Sequence, residues 1–187
     1  MHPERPQALR TIHRAPGALD CAEREALLDA LVVVADEFVP PLTVRRSTTQ
    51  SDLVGLRAEA PEGVGRYFAQ MLDQHTLLAP GPDRALAAFC SFRVGHTPPV
   101  VADLGPCTYV STIAVLPDHR RSGIARLLYG SLLALDGVRS RPVMLRTWST
   151  NTGHLALLAT LGFEVVSTLP DDRGTGVDTV YLARLPR

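Results

Sequence analysis

"TYVSTIAVLPDHRRSGIARLLYGSLL", Thr108 to Leu133, changes its hydrophobic period part-way along. Its first part, "TYVSTIAV", is rich in β-branched and aromatic residues and predicts a strand. From Ile124 onward, Leu127, Leu128, Ser131, Leu132 and Leu135 recur as one stripe, the spacing of an amphipathic helix. The junction between them is positive and ends in glycine. A helix start exposes backbone N–H groups that have no partner in the helix, at the positive end of its dipole. Small residues at Ser122, Gly123 and Ala125 leave those amides open to close approach. Arg120 and Arg121 add charge that suits phosphate. The stretch therefore predicts a diphosphate cradle between a strand and a helix. It is not a P-loop, because no Gly-Lys-Ser/Thr follows, and GxGxxG is absent. On these residues alone, a plain helix start flanked by solvated arginines fits equally well.

Working outward, "LDCAEREALLDALVVVADEFV" predicts a helix with Asp20 as N-cap and Leu27, Leu31, Val34 and Phe38 on one stripe, stopped by Pro40 and Pro41. "VGRYFAQMLDQHT" predicts a second helix, with Val64, Phe68, Met71 and Leu72 on one face. "ALRTIHRA", "TLLAP", "RALAAFCSFRV", "PVMLRTW", "FEVVSTL" and "DTVYLARL" read as further strands, the last two as a hairpin. "TGHLALLATLG" reads as a helix. The order is β-α-α-β-β-β-α-β-α-β-β, one mixed α/β domain over residues 9–187 after a loose, Pro-rich residues 1–8. "DTVYLARL" is expected at an exposed sheet edge, where a homodimer would pair.

Composition narrows the classes. The chain has 187 residues, 45% hydrophobic and 20% charged, with a formal charge of zero, which disfavours nucleic acid as the main partner. All 19 basic residues are arginine, a bias that codon composition explains. Cys21, Cys90 and Cys107 form no CxxC pair, so neither a zinc site nor a disulfide framework is expected. Cys90 and Cys107, in apolar runs, are expected to be buried. The opening "MHPERPQALR" lacks a signal-peptide core and no run is long enough to span a membrane, so no membrane partner and a cytoplasmic location are expected.

Two motifs in order carry a family resemblance. Arg120-Arg121-Ser122-Gly123-Ile124-Ala125 after an apolar strand, and "NTGHLALLATLGF" with Asn151 at a helix start and Leu161-Gly162-Phe163 after it, resemble the acyl-CoA-binding core of the GNAT acyltransferase superfamily. The resemblance implies a single-domain α/β (α+β) fold whose mixed central sheet is splayed between the fourth and fifth strands and flanked by helices. It implies an N-acyltransferase that uses acetyl-CoA or another acyl-CoA as donor, with an amine of a small molecule, peptide or protein attacking directly. It implies that the backbone of Ile113, Ala114 and Val115 pairs with the pantetheine arm, that an N–H near Ile113 faces the thioester carbonyl, and that the amides from Arg121 through Arg126 hold the pyrophosphate. Asn151 is implied in holding the pantetheine arm, alongside a simple N-cap role.

The chain departs from the family pattern at two positions. The implied thiolate-protonating tyrosine, seven residues after the asparagine, is Leu158, and the central-strand carboxylate is missing from Tyr109, Val110, Ser111 and Thr112. His154, one turn before Leu158 on the same helical face, is the substitute candidate for proton transfer. Tyr109 and Ser111 are weaker catalytic candidates, each with a core-packing alternative. Other acyl-thioester chemistry, such as decarboxylation or transfer from a carrier protein, and non-catalytic acyl-CoA binding are the competing functions. The acceptor loop implied by the family offers Glu37, Arg45, Arg46, Glu59, Glu62 and Tyr67, whose mixed charges select no substrate. Trp148 is expected in the core, and His75 and His96 lack metal-ligand spacing.

Overall fold

The computed structural model describes residues 10–50, 53, 63–82 and 85–186. The expected loose N-terminus and the candidates Glu59 and Glu62 lie outside the described residues. Seven strands form one sheet in the order β1-β2-β3-β4-β5-β7-β6: β1 (Ile12–Arg14), β2 (His75–Pro80), β3 (Leu86–His96), β4 (Cys107–Val115), β5 (Val143–Trp148), β6 (Glu164–Leu169) and β7 (Thr179–Arg184). The helices are α1 (Cys21–Val34), α2 (Gly65–Leu72), α3 (Ile124–Ala134), α4 (Asp136–Arg139) and α5 (Thr152–Thr160).

The start of α1 is fixed by a reciprocal cap. The Glu23 amide donates to Asp20 Oδ1 at 2.8 Å, and the Asp20 amide donates to Glu23 Oε2 at 3.2 Å. Glu23 also pairs with Arg14 at 2.6 Å, tying the cap to β1. The helix gives way at Val34 to a 3-10 turn over Ala35–Glu37, so Phe38 leaves the predicted stripe. Successive residues of the central strands point to opposite faces and build two cores. Leu78 and Phe89 pack with Leu27, Leu31 and Met71 under α1 and α2. Leu77 and Cys90 pack with Leu128, Tyr129, Leu132 and Leu158 under α3 and α5. Cys90 and Cys107 are buried as expected, and desolvation pushes their thiols up, to about 12 and about 11.

The expected edge position is corrected. β7 lies between β5 and β6, and β6 is the outer strand. The reason is compositional: "TVYLAR" is buried on both faces, whereas β6 exposes Glu164, Val165 and Val166.

β4 and β5 run parallel and are paired over Thr108↔Val143, Tyr109↔Met144 and Val110↔Leu145, and then part. The divergence begins at a β-bulge. Phe92 faces Val110 and Ser91 faces Thr112, so Ser111 is an extra residue on β4. A bulge bends its strand and increases the local twist. The Ser111 hydroxyl pins this one, lying 2.5 Å from Gln74 Oε1 and 3.1 Å from the Ser91 carbonyl oxygen.

Candidate active site

A cavity of about 600 Å³ opens where β4 leaves β5. Among the residues lining it are Ser111 to Val115 of β4, the first turn of α3, the start of α5, the end of β5 and a few residues beyond α1. On its far edge β4 is held by β3 through Ile113↔Cys90, Ala114↔Phe89 and Val115↔Ala88. Among the described residues its near edge has no strand partner past Val110. A peptide-like chain bearing amides could therefore add there as a strand would.

Just past the C-terminal end of β4 a 3-10 turn, Pro117–His119, leads into the positive junction. Arg121 and Gly123 both take left-handed backbone, φ 60° and φ 85°, and Gly123 occupies the N-cap position of α3 with no side chain capping the helix. The first amides of α3 are thus left for a ligand. A Cβ at Gly123 would meet no protein atom within 4 Å, so the glycine answers to backbone conformation and to the open cavity, not to protein packing. Arg120, Arg121, Gly123, Ile124, Ala125 and Arg126 line the cavity, as do Ile113, Ala114, Val115 and Asn151. Ser122 braces the turn instead, its hydroxyl donating to the His119 carbonyl at 2.5 Å. Arg120 is also tied back, its Nε donating to the Val115 carbonyl at 3.0 Å while its guanidinium pairs with Glu37. Asn151 stands at the N-cap position of α5 without capping it; its Nδ2 donates to Thr147 Oγ1 at 3.2 Å. The amides at the start of α5 are consequently uncapped as well.

The catalytic candidates separate. His154 lines the cavity, with Nε2 2.8 Å from the hydroxyl of the fully buried Tyr129. Burial holds His154 down at about 4, so the ring is neutral near neutral pH, and burial holds the Tyr129 hydroxyl well above the usual tyrosine range. Both partners of that bond are therefore neutral, and the imidazole carries a single proton. Ser111 lines the cavity at the bulge, its hydroxyl engaged by Gln74 and Ser91. Tyr109 is not brought to the cavity: it packs among Cys107, Met144 and Tyr181, with its ring 5.0 Å from that of His96. Leu158 is buried in the α3–α5 core.

The wall beyond the splay differs from the expectation. Trp148 is not in the core; it lines the cavity, tilted against Phe38 at 6.0 Å, with the Arg173 guanidinium 5.7 Å above its ring. Of the acceptor-loop candidates, Glu37 and Arg45 line the cavity, Arg46 is exposed away from it, and Tyr67 is buried with its hydroxyl 2.8 Å from Thr112 Oγ1. Arg146 and Arg173, which sequence reasoning passed over, line it as well. Arg146 carried a readable signal, a charged residue inside the apolar run "VMLRTW" two positions from Trp148. Arg173, in "PDDRGTGVD", carried none, because such a turn ordinarily reads as solvated. Among the described residues no group of three or more His, Cys, Asp or Glu could hold a metal ion.

The Acetyltransferase (GNAT) family model matches residues 42–163, which span the bulged strand, the phosphate-type junction and the second motif. The chain belongs to the GNAT acetyltransferase family. Its fold resembles Arabidopsis thaliana NAA60, solved in complex with a bisubstrate analogue, at a TM-score of 0.63 and 16% identity, covering 95% of this chain and 99% of that one. It also resembles Salmonella typhimurium yncA, solved with its cofactor acetyl-CoA, at a TM-score of 0.60 and 15% identity, covering 95% of both chains. In sequence it is 37% identical over 92 residues to ML0378, an uncharacterized protein of Mycobacterium leprae (strain TN); the match covers 49% of this chain and 23% of that relative's length.

Proposed function

We propose that this chain is an acyl-CoA-dependent N-acyltransferase, with acetyl-CoA as the principal donor and an amine of a small molecule or peptide as acceptor. One observation carries the reading: a single cavity brings the unpaired edge of β4 at Ile113–Val115 together with the uncapped amides of α3 at Gly123. The pantetheine arm would pair along that edge, and the pyrophosphate would meet the Arg121–Arg126 amides, with Asn151 beside the arm. The amine nitrogen attacks the thioester carbonyl, forming the C–N bond and a tetrahedral oxyanion, which a β4 N–H near Ile113 stabilises. Collapse breaks the C–S bond, and the departing thiolate takes up a proton.

Residue chemistry limits how the protons move. Glu37 is the only carboxylate among the described lining residues, and it is engaged by Arg120. A neutral His154 offers the thiolate a hydrogen bond and not a fully charged acid. Catalysis in this reading rests on orientation and oxyanion stabilisation, with water carrying the amine's proton away.

The test is calorimetric titration with acetyl-CoA of the wild type and of Gly123→Asp, together with amine-dependent release of free CoA thiol. A side chain and a negative charge at the cradle should weaken binding by at least about tenfold, as expected for opposing a charge-assisted phosphate contact. Equal affinity in the two proteins would remove the cradle and the reading with it. Release of carbon dioxide from malonyl-CoA without any amine dependence would move the chain to the decarboxylation alternative.

A further inference from the structure

Beyond the splay, the cavity wall concentrates like charge in a way that a plain amine pocket does not need. Arg45 and Arg173 are 7% and 8% exposed, values at which charged residues are normally paired with an opposite charge. Their partners are largely neutral. Arg45 donates from Nε to the Pro40 carbonyl at 3.0 Å and from Nη2 to the Val39 carbonyl at 3.3 Å. Arg173 donates from Nε to Thr179 Oγ1 at 2.9 Å and from Nη1 to that same Val39 carbonyl, so two guanidiniums converge on one oxygen. Arg146 reaches the Tyr181 hydroxyl only at 3.5 Å, and its Nη2 is buried with no hydrogen-bond partner.

Among the described residues, the acidic groups around the three do not balance their charge. Asp172, buried and accepting from Thr179 Oγ1 at 2.5 Å, acts on Arg173 and offsets one charge. Glu37 is paired with Arg120 instead. Desolvation, reinforced by Arg45 and Arg146, depresses Arg173 to about 9, and desolvation with Arg146 depresses Arg45. In a chain without lysine, the choice of arginine carries no information; the burial, the convergence and the missing partner do. Buried charge left uncompensated in this way persists where a ligand supplies the counter-charge.

We propose that the acceptor amine carries an oxyanion of its own, a carboxylate or a phosphonate, which Arg45, Arg146 and Arg173 hold against the Trp148 wall. The proposal rests on the acyl-transfer reading above and names its substrate class. A guanidinium presents paired donors to a planar carboxylate or a phosphonate, and a flat aromatic wall limits how the ligand turns.

The experiment uses matched acceptors: L-methionine with L-methioninamide, and 2-aminoethylphosphonate with n-propylamine. With acetyl-CoA saturating, kcat/KM should favour the anionic member of at least one pair by about tenfold or more, as one charge-assisted contact supplies. Which pair shows the preference separates carboxylate from phosphonate. Arg146→Met should abolish most of that preference by raising KM for the anionic acceptor, with a much smaller change for n-propylamine, and leave the affinity for acetyl-CoA unchanged. Binding is read independently of turnover by quenching of Trp148, the single tryptophan of the chain, in the presence of CoA. Quenching by L-methionine or 2-aminoethylphosphonate but not by the partners that lack the oxyanion, lost in Arg146→Met, supports the anion site even if no acetyl transfer occurs; in that case only the catalytic reading falls. Equal kcat/KM and equal quenching across both pairs would overturn the proposal while leaving acyl transfer intact. So would a loss of kcat in Arg146→Met that is the same for neutral and anionic acceptors, since it would place the charge on the reaction oxyanion.

Discussion

At His154 the sequence and the structure draw different chemistry from one side chain. Its place one turn before Leu158 suggests a proton carrier, but burial under α3 holds the ring neutral and Tyr129 occupies Nε2. The sign of the pH effect follows. The unfolded imidazole titrates near 6.5 and the folded one near 4, so between these values the unfolded chain binds more protons. The stability is fully present above about pH 6.5 and is lost as pH falls from there toward 4, by on the order of 3 kcal/mol. His154→Gln keeps an acceptor for Tyr129 and does not titrate. Urea denaturation from about pH 7.5 down to about pH 4 should therefore show the variant overtaking the wild type at the acid end. His13, His75 and His96, also depressed by burial, stay common to both proteins and cancel in the comparison. Catalytically, glutamine still donates a hydrogen bond, so kcat should stay within about tenfold of wild type, with no inflection near pH 6.5. A kcat profile that loses such an inflection on substitution would restore His154 as the titrating acid.

Among the elements, the bulge at Ser111 decides the most. It turns the end of β4 away from β5, frees the edge at Ile113–Val115 and so creates the cavity. Ser111→Ala removes the hydroxyl that meets Gln74 Oε1 and should lower stability by about 1 kcal/mol, the usual value of one such bond. Turnover should stay within a few-fold, because the hydroxyl faces Gln74 and not the reacting atoms. A loss of activity beyond about a hundredfold at unchanged stability would instead make that hydroxyl part of the chemistry. Nothing in "TYVSTIAV" announces a bulge, since the extra residue is defined by its partners Ser91 and Phe92 on β3. The elements themselves were legible, because β-branched runs and helical stripes are local: the capping box at Asp20, the strand–glycine–helix junction at Gly123 and the second motif at Asn151 each lie within a few residues. What required the fold was non-local. β7 is interior because of what stacks on both of its faces, and Trp148 leaves the core because Phe38 and Arg173 arrive from other parts of the chain.

For the whole molecule, the arginine cluster sets a trade between stability and use. The two cores under α1–α2 and under α3–α5 are joined across a sheet whose β4–β5 seam has only three paired positions. Beside that seam, among the described residues, three guanidiniums stand with Asp172 as the carboxylate acting on Arg173. Replacing a buried, poorly paired charge by an unbranched apolar side chain of similar length is commonly neutral or stabilising by ~1–4 kcal/mol. Arg146→Met should therefore unfold at the same or a higher urea midpoint than the wild type when no ligand is present, because Arg146 Nη2 has no bond to lose. Acetyl-CoA at about a hundred times its Kd should raise the stability of both proteins by ~3 kcal/mol, since its contacts on β4 and α3 are untouched. Adding the preferred anionic acceptor together with CoA should then stabilise the wild type further and leave the variant where CoA alone put it. Denaturation midpoints of the two proteins, free, with acetyl-CoA, and with CoA and acceptor, separate these contributions. If Arg146→Met instead loses several kcal/mol with no ligand bound, the guanidinium is a structural tie between β5 and β7, and the cluster owes its burial to folding and not to a substrate.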